Sequence, residues 1–330
     1  MSSATVNEPV LPDAQMHLVM PGAPVVGRVV ENRLCLKGKS ASFVRHVAID
    51  VSGTPLAGQF RAGQSFGVIP PGVDGKGKPE KVRLYSISCP TWGEDGAGQV
   101  ISTTPKRLID ERRPQKPGDD PHDHRLFVGV ASNYLCDLRP GDEVRLSGPN
   151  GKRFLLPADT EAHDYLFLAT GTGIAPFRGM AMELFDDSGR RPGGPTRSRV
   201  ELVMGSPYES DLLYDELFTS LAARHANFHY HPTISRERRP DGGRGLYVHQ
   251  FIEAHLDHFR DLLRSPRTLI YVCGLAGMQV GLFQVLARNG LGDGFIEVHE
   301  EIAGIEPARW SEEQIKRRVR QTRRCMLEVY

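Results

Sequence analysis

The chain has 330 residues, 39% hydrophobic and 25% charged, which excludes a disordered protein and leaves room for two domains. A formal net charge of +1 excludes a chain-wide field for nucleic acid, so any partner recognised by charge must meet a local patch. Five cysteines, Cys35, Cys89, Cys136, Cys273 and Cys325, make no C-x-x-C pair and no zinc or iron–sulfur spacing, which fits a reducing cytoplasm. No basic segment precedes an apolar core at the start, and no apolar run reaches about 18 residues, so a soluble, cytoplasmic protein is expected.

In chain order, residues 1–23, with Pro9, Pro12 and Pro21 and little periodicity, read as a flexible arm. From 24 to 158, short apolar stretches are punctuated by Gly and Pro. Strands are expected at 25–36, 41–51, 65–69, 82–88, 99–104 and 143–147, an antiparallel barrel or sandwich. The polar segment 112–124 reads as an exposed loop, and 132–138 as a short helix capped by Ser132 or Asn133. From 159 to 330 the rhythm changes. Apolar runs at 165–169, 199–205, 228–235 and 268–273 each lead into a helical segment, the pattern of a doubly wound parallel sheet covered on both faces. A basic helical stretch is read at 314–324.

Four places carry chemistry. Thr170-Gly171-Thr172-Gly173-Ile174-Ala175-Pro176 follows a strand and opens a helix, so its backbone N–H groups can meet a pyrophosphate. Glycines also serve any tight turn of this kind. Ser235 and Arg236 follow the third strand of that domain, where a hydroxyl and a guanidinium suit a ribose 2′-phosphate; Arg244 and Tyr247 lie downstream. Arg238 and Arg239 crowd the same stretch, which equally describes a solvated basic loop. Cys273 closes the fourth apolar strand before a helix, a setting that partly activates a thiol. In the first domain, strand alternation puts Arg83 and Tyr85 on one face and Ser86 on the other, a cation and a ring for a planar cofactor.

Taken in order, Arg83-Leu84-Tyr85-Ser86, the run 132–138 with Pro140-Gly141-Asp142, the run 171–178, Ser235-Arg236-Glu237, the run 273–278 and Glu328-Val329-Tyr330 resemble the motifs of plant-type ferredoxin–NADP(+) reductases over about 24–330. The resemblance implies an antiparallel FAD-binding β-barrel followed by a doubly wound NADP-binding α/β domain. For FAD it implies Arg83 on the pyrophosphate, Tyr85 on the flavin ring and Ser86 near the nitrogen that takes the hydride. Leu84 and Val130 line the same cofactor, and Ser132 caps a helix facing phosphate. For NADP(H) it implies Thr172 and Gly173 on the pyrophosphate, Ser235, Arg236 and Arg244 on the 2′-phosphate, and Tyr247 on adenine. Pro207, Gly274 and Leu275 complete that lining. The implied catalytic set is Ser86, Cys273 beside nicotinamide, Glu328 supporting Ser86, and Tyr330 on the flavin until nicotinamide displaces it; no metal is implied.

The chain departs from that pattern at Asp110, where an aromatic residue is expected for the FAD adenine, at Gly245, where a lysine is expected, and at His249, where an amide is expected. The implied activity is hydride transfer from NADPH to FAD, then single electrons to a ferredoxin, a flavodoxin or another small iron–sulfur protein. The stretch 314–324 with Lys106 and Arg107 would dock an acidic partner, unless it is an ordinary solvated helix face. Runs 103–107 and 128–138 are also similar to reductase components of benzoyl-CoA oxygenases, which suggests an oxygenase reductase as an alternative. A non-catalytic FAD/NADP redox-sensing module is a third reading, opposed by Ser86, Cys273 and Glu328, which mere binding does not need.

Overall fold

The computed structural model describes residues 8–38, 40, 42–111, 118, 120, 122 and 124–330. Most of the loop expected at 112–124 lies outside these residues. The chain forms two compact units, Ala14–Asn150 and Gly151–Tyr330, the latter joined by the segment ending at Asp13. Residues 8–23 are fastened where a flexible arm was expected. Val10 O accepts from Ala158 N at 2.8 Å in the second unit, while His17 N and Val19 N donate to Pro149 O and Gly148 O at 2.8 and 2.9 Å in the first. These are backbone bonds to an extended segment, which leave no side-chain period to read. Among the described residues no helix is long and apolar enough to cross a membrane.

The first unit is built on a six-stranded antiparallel sheet of β1 (Val25–Leu34), β2 (Arg45–Asp50), β3 (Ser65–Ile69), β4 (Arg83–Ser86), β5 (Val100–Thr103) and, after an excursion, β8 (Glu143–Asn150). Their order is β4-β3-β8-β1-β2-β5. Inward residues such as Val29, Val47, Ile49, Phe66, Val68 and Leu146 form one core. The end strands share no ladder, but Ser88 N donates to Ser102 O at 2.9 Å just beyond β4. The excursion contains a hairpin, β6 (Ile109–Glu111) and β7 (Leu126–Val128), and helix α1 (Val130–Asp137). Leu135 and Leu138 anchor α1 in the core. Asn32 Nδ2 binds the carbonyls of Leu135 and Leu138 at the end of the helix, at 3.1 and 2.6 Å. That bond satisfies orphan carbonyls and fixes the helix axis.

The second unit alternates β9 (Asp164–Thr170), α2 (Ala175–Leu184), β10 (Val200–Ser206), α3 (Asp215–Arg224) and β11 (Phe228–Ile234). It continues with α4 (Val248–Ala254), α5 (Leu256–Arg264), β12 (Thr268–Gly274) and α6 (Ala276–Arg288). Then come β13 (Ile296–Val298), α7 (Glu300–Ala303), α8 (Glu312–Arg318), β14 (Val319–Gln321) and β15 (Cys325–Val329). The main sheet runs β11-β10-β9-β12-β15 and every pair is parallel. Such strands are buried on both faces, and β12 is buried at every residue. One face packs Leu166, Leu168, Ile270 and Val272 against Phe259, Leu282, Phe283 and Leu286 of α5 and α6. The other packs rings, with Phe167 stacked on Phe177 of α2 at 4.9 Å.

The expected helix at 314–324 ends at Arg318; β14 and β15 follow. Arg324 is buried, its Nε on Thr268 O at 3.1 Å and its guanidinium over the Phe295 ring. The cations of α8 are paired, Lys316 with Glu312, Arg317 with Glu313 and Arg318 with Glu301, at 2.6, 3.1 and 2.8 Å. Arg107 is likewise engaged, by an ion pair to Asp137 and by Asn133 Oδ1 at 2.9 Å. These pairs balance the charges of α8 and of Arg107 within the fold.

Candidate active site

Parallel strands all end on one side of their sheet, so the carboxyl ends of β9, β10, β11, β12 and β15 collect the residues that follow each of them. The strand order counted from β9 is 3-2-1-4-5, and the chain reverses direction between β9 and β12. A crevice at such a switch point is where open α/β sheets take ligands. The turn Gly171–Ile174 leaves β9 there and leads into α2, with Pro176 in its first turn. A Cβ on Gly173 would lie 2.1 Å from Cys273 O, so this turn rests directly on the end of β12 and only glycine fits. Thr170 Oγ1 accepts from Leu275 N at 2.8 Å and ties the two turns together. From sequence Thr170 was read only as part of this motif and given no role of its own, although a hydroxyl immediately before the glycines was a usable signal.

In the β12–β15 register Cys273 faces Glu328 and Gly274 faces Val329. Tyr330 N donates to Gly274 O at 3.0 Å, and the Tyr330 hydroxyl lies 2.8 Å from Thr172 Oγ1. The activated thiol expected at Cys273 is corrected. Burial, seconded by the Glu328 charge, pushes the thiol well above its ordinary range, so it stays protonated. The helix dipole that would have lowered it starts only at Ala276.

On the other flank, Ser235 N and Arg236 N donate to Ser206 O and Pro207 O at 2.9 and 3.0 Å. The Ser206 hydroxyl, missed from sequence, is buried at the end of β10 without a hydrogen-bond partner among the described residues. The arginine-rich stretch divides cleanly. Arg239 pairs with Asp241 at 3.1 Å and Arg238 reaches Gly242 O at 3.4 Å, both holding the loop itself. Arg236 and Arg244 are exposed, and among the described residues neither has a carboxylate partner. Gly245 has a steric reason: a Cβ there would lie 2.4 Å from Ile234 O, because Leu246 N bonds that carbonyl at 3.0 Å. A lysine cannot occupy the position without opening this contact. Tyr247 is exposed and parallel to the His249 ring, centroids 6.0 Å apart. His249 is packed over Gly281, and burial lowers its pKa.

In the first unit, Arg83, Leu84, Tyr85 and Ser86 form β4 at the end of the sheet. Arg83 is exposed, with a single hydrogen bond among the described residues, Nη1 to Val82 O at 3.5 Å. Tyr85 packs on the core, and burial pushes its phenol upward. Ser86 is half-buried and its carbonyl accepts from Thr103 Oγ1 at 2.8 Å. Helix α1 begins two residues before the expected start, with exposed Val130, and no side chain caps it. Ser132 and Asn133 are corrected as caps. Asn133 Nδ2 instead binds Leu108 O and Gly129 O at 2.9 and 2.7 Å, and Ser132 Oγ accepts from Leu108 N at 3.3 Å. Both side chains join the helix to the hairpin, and among the described residues no side chain caps its first-turn N–H groups. Asp110 pairs across the hairpin with Phe127, so the two share a face, and Phe127 is 48% exposed.

A separate cluster joins Glu201, His231 and His258, whose ligand-type atoms lie within 4.8 Å of one another. Arg199 Nη2 sits 2.6 Å from the same carboxylate, which is fully buried, and His231 and His258 reach it at 2.6 and 3.1 Å. Burial raises the Glu201 pKa, but bonds from His231, His258 and Arg199 outweigh it and hold the group at about 2. This is an internal ion-pair hub near the amino end of β10.

Residues 167–282 match the oxidoreductase NAD-binding domain family. The ferredoxin–NADP reductase of Thermosynechococcus vestitus is 36% identical over 285 residues, covering 84% of this chain and 70% of that protein. That of a Picosynechococcus species is 32% identical over 333 residues, covering 100% of this chain and 76% of the other. The solved ferredoxin–NADP(+) reductase of Plasmodium falciparum superposes with a TM-score of 0.67 at 20% identity, covering 95% of this chain and 99% of that one, which speaks for the fold. These relatives do not single out the benzoyl-CoA oxygenase branch. Full-length similarity and the crowded carboxyl edge of the parallel sheet lead to one assignment: the chain belongs to the plant-type ferredoxin–NADP(+) reductase family.

Proposed function

We propose that this chain is an FAD-dependent reductase that accepts a hydride from NADPH and delivers electrons singly to a ferredoxin, a flavodoxin or another small iron–sulfur protein. The observation that carries the reading is the gathering of Thr172, Ser206, Ser235, Arg236, Cys273 and Tyr330 at the carboxyl ends of five parallel strands. The names of the relatives supply the donor and the acceptor in this proposal.

Both nucleotides find groups that fit them. The cradle around Gly173, too tight for a Cβ, and the orphaned Ser206 hydroxyl suit a close-lying pyrophosphate and its ribose. Arg236 and Arg244, uncommitted within the fold, would hold a 2′-phosphate and so favour NADPH over NADH. Tyr247 offers an exposed ring to adenine. Pro207, Gly274 and Leu275 would line the nucleotide. For FAD, the unpaired Arg83 and the uncapped start of α1 suit a pyrophosphate, with Leu84, Val130 and Ser132 beside it. Phe127, sharing a face with Asp110, would take the adenine that the resemblance assigns to an aromatic residue at 110.

Bound FAD supplies the chemistry that converts one hydride into two single electrons. The chain's own contribution is orientation and charge. Tyr85 keeps its phenol protonated and presents a neutral ring. Cys273, protonated by burial, gives nicotinamide a neutral wall and no thiolate to add to it. Ser86 would hydrogen-bond the flavin, and Tyr330 would yield its place to nicotinamide.

The test is the visible spectrum of the purified protein, titrated without oxygen. A yellow protein bleached by NADPH at far lower concentration than by NADH is expected. A colourless protein overturns the flavin assignment; equal response to both nucleotides overturns the 2′-phosphate roles of Arg236 and Arg244.

A further inference from the structure

The cluster around Glu201 takes no part in the nucleotide sites, and its chemistry is more specific than an ion pair needs. Glu201 is the second residue of β10, with its carboxylate fully buried. Arg199 binds Oε1 through Nε and Nη2, at 2.7 and 2.6 Å. His231 Nε2 lies 2.6 Å from Oε2, and His258 Nε2 lies 3.1 Å from both oxygens. One guanidinium already balances one buried carboxylate, so neutrality accounts for Arg199 and leaves two histidines to be explained. Their rings cross at 73° with centroids 5.4 Å apart, so they converge on the carboxylate instead of stacking. Phe259 packs steeply against both, at 5.7 and 4.8 Å, and holds them in place.

We infer that Glu201, His231 and His258 form a site for a divalent transition metal of the zinc class, with water in the fourth position. Two imidazoles and a carboxylate are a donor set that zinc uses, whereas calcium and magnesium call for oxygen alone. One ligand-type atom from each residue lies within 4.8 Å of the other two. Atoms about 2.1 Å from a tetrahedral ion stand about 3.4 Å from one another, so small side-chain shifts complete the geometry. The His258 side chain is 41% exposed, which gives an ion and its water a way in. The ion takes the place of hydrogen between the rings and the carboxylate, and each ring then carries its hydrogen on Nδ1. Arg199 keeps Oε1 and fixes the carboxylate from outside, although its Nη2, 3.3 Å from His258 Nε2, must turn away. The paired hub is the metal-free form of the same cluster. Bound metal joins β10, the edge strand β11 and α5, so it clamps the second unit and is no part of hydride transfer.

The test uses zinc and cobalt(II) ions on the purified full chain, stripped with a chelator and dialysed. Calorimetry should count one tightly bound zinc ion per chain, and cobalt should give the intense visible bands of a tetrahedral ion. Zinc should also raise the melting temperature by about 5 °C. His258→Gln and His231→Gln should each weaken zinc binding more than about 100-fold, beyond the worth of an outer partner, and abolish the cobalt bands. His299→Gln, which removes an exposed histidine beside Glu301, should change neither. Melts in chelator check that the variants fold, and the cobalt spectrum of the unmodified chain decides the matter without them. An octahedral cobalt spectrum, zinc bound no more tightly than by His258→Gln, or an equal loss in His299→Gln each overturns the site. No readout here uses flavin or NADPH, so failure would leave the proposed function standing, and a colourless protein would leave the metal site standing.

Discussion

The two units present their nucleotides on differently prepared surfaces. The first offers mainly groups that the fold leaves uncommitted: Arg83 without a carboxylate partner among the described residues, an α1 uncapped by any described side chain, and Phe127 half-exposed on a two-stranded hairpin. The second also leaves Arg236, Arg244 and the Ser206 hydroxyl uncommitted, but sets them beside backbone in tight contact, with Gly173 on Cys273 O, Thr170 Oγ1 on Leu275 N, and Tyr330 N on Gly274 O. On the proposed reading the difference follows from residence. A group that stays through every turnover can complete its own surface, whereas a nucleotide that enters and leaves each cycle needs a surface already ordered without it.

The most severe way to break this comparison is to spoil the second surface and leave the first untouched. Gly173→Ala places a Cβ 2.1 Å from a strand carbonyl that has no freedom to move aside. The turn must lift off β12, and kcat/KM for NADPH-driven dye reduction should fall about 100-fold, the equivalent of about 3 kcal/mol. Flavin content per chain should change little, because every residue assigned to FAD except Tyr330 lies in the other unit. Loss of flavin together with activity would mean that the two surfaces are not separable.

A sharper contrast comes from acid. The Glu201 hub belongs to the second unit alone, and its carboxyl is held at about 2 against an ordinary 4.5. A lowered carboxylate stabilises the folded state fully above its unfolded pKa. That stabilisation is lost as the pH falls from 4.5 towards 2, and over this window it amounts to about 3 kcal/mol. Denaturant melts between these pH values should show the loss in the unmodified chain and a much flatter pH dependence in Glu201→Gln. The variant should also be less stable at neutral pH, since Arg199, His231 and His258 then face an amide. An unchanged acid limb would show that the hub contributes no net stability.

The same contrast explains what was legible in the sequence. Buried parallel strands read well because Tyr165–Ala169 and Thr268–Cys273 are continuous apolar runs that the core demands in full. Motif residues at their ends were found with them, since a strand end fixes where a turn must be. The fifth strand, β15, was hidden, because five residues preceded by Arg323 and Arg324 look like the tail of a basic helix. Arg324 is buried by a cation–ring contact and two carbonyls, which no periodicity announces. In the first unit the helix start was misplaced for a related reason. Ser132 and Asn133 carry the chemistry of caps, and the fold uses them to bond Leu108 and Gly129 across chain segments instead. Local polarity reveals a hydrogen-bonding role; only tertiary contact decides with whom.

The smallest expected effect tests the least regular part of the first surface. Asp110 stands where the family resemblance calls for an aromatic residue, yet register makes Phe127 its direct neighbour on the same face of the hairpin. An exposed phenyl ring beside a charged side chain gains nothing from the fold, and stacking on a base would give it a use. Phe127→Ala should therefore weaken FAD retention about fivefold, the equivalent of about 1 kcal/mol, with little change in melting temperature. Because the two positions share a face, Asp110→Phe in the Phe127→Ala background should recover most of the affinity, whereas Ile109→Phe, which projects from the opposite face, should not. Flavin released on dilution, read by its fluorescence, distinguishes these cases. Rescue by both substitutions would make the effect one of hydrophobic cover alone, and rescue by neither would remove the adenine from this hairpin.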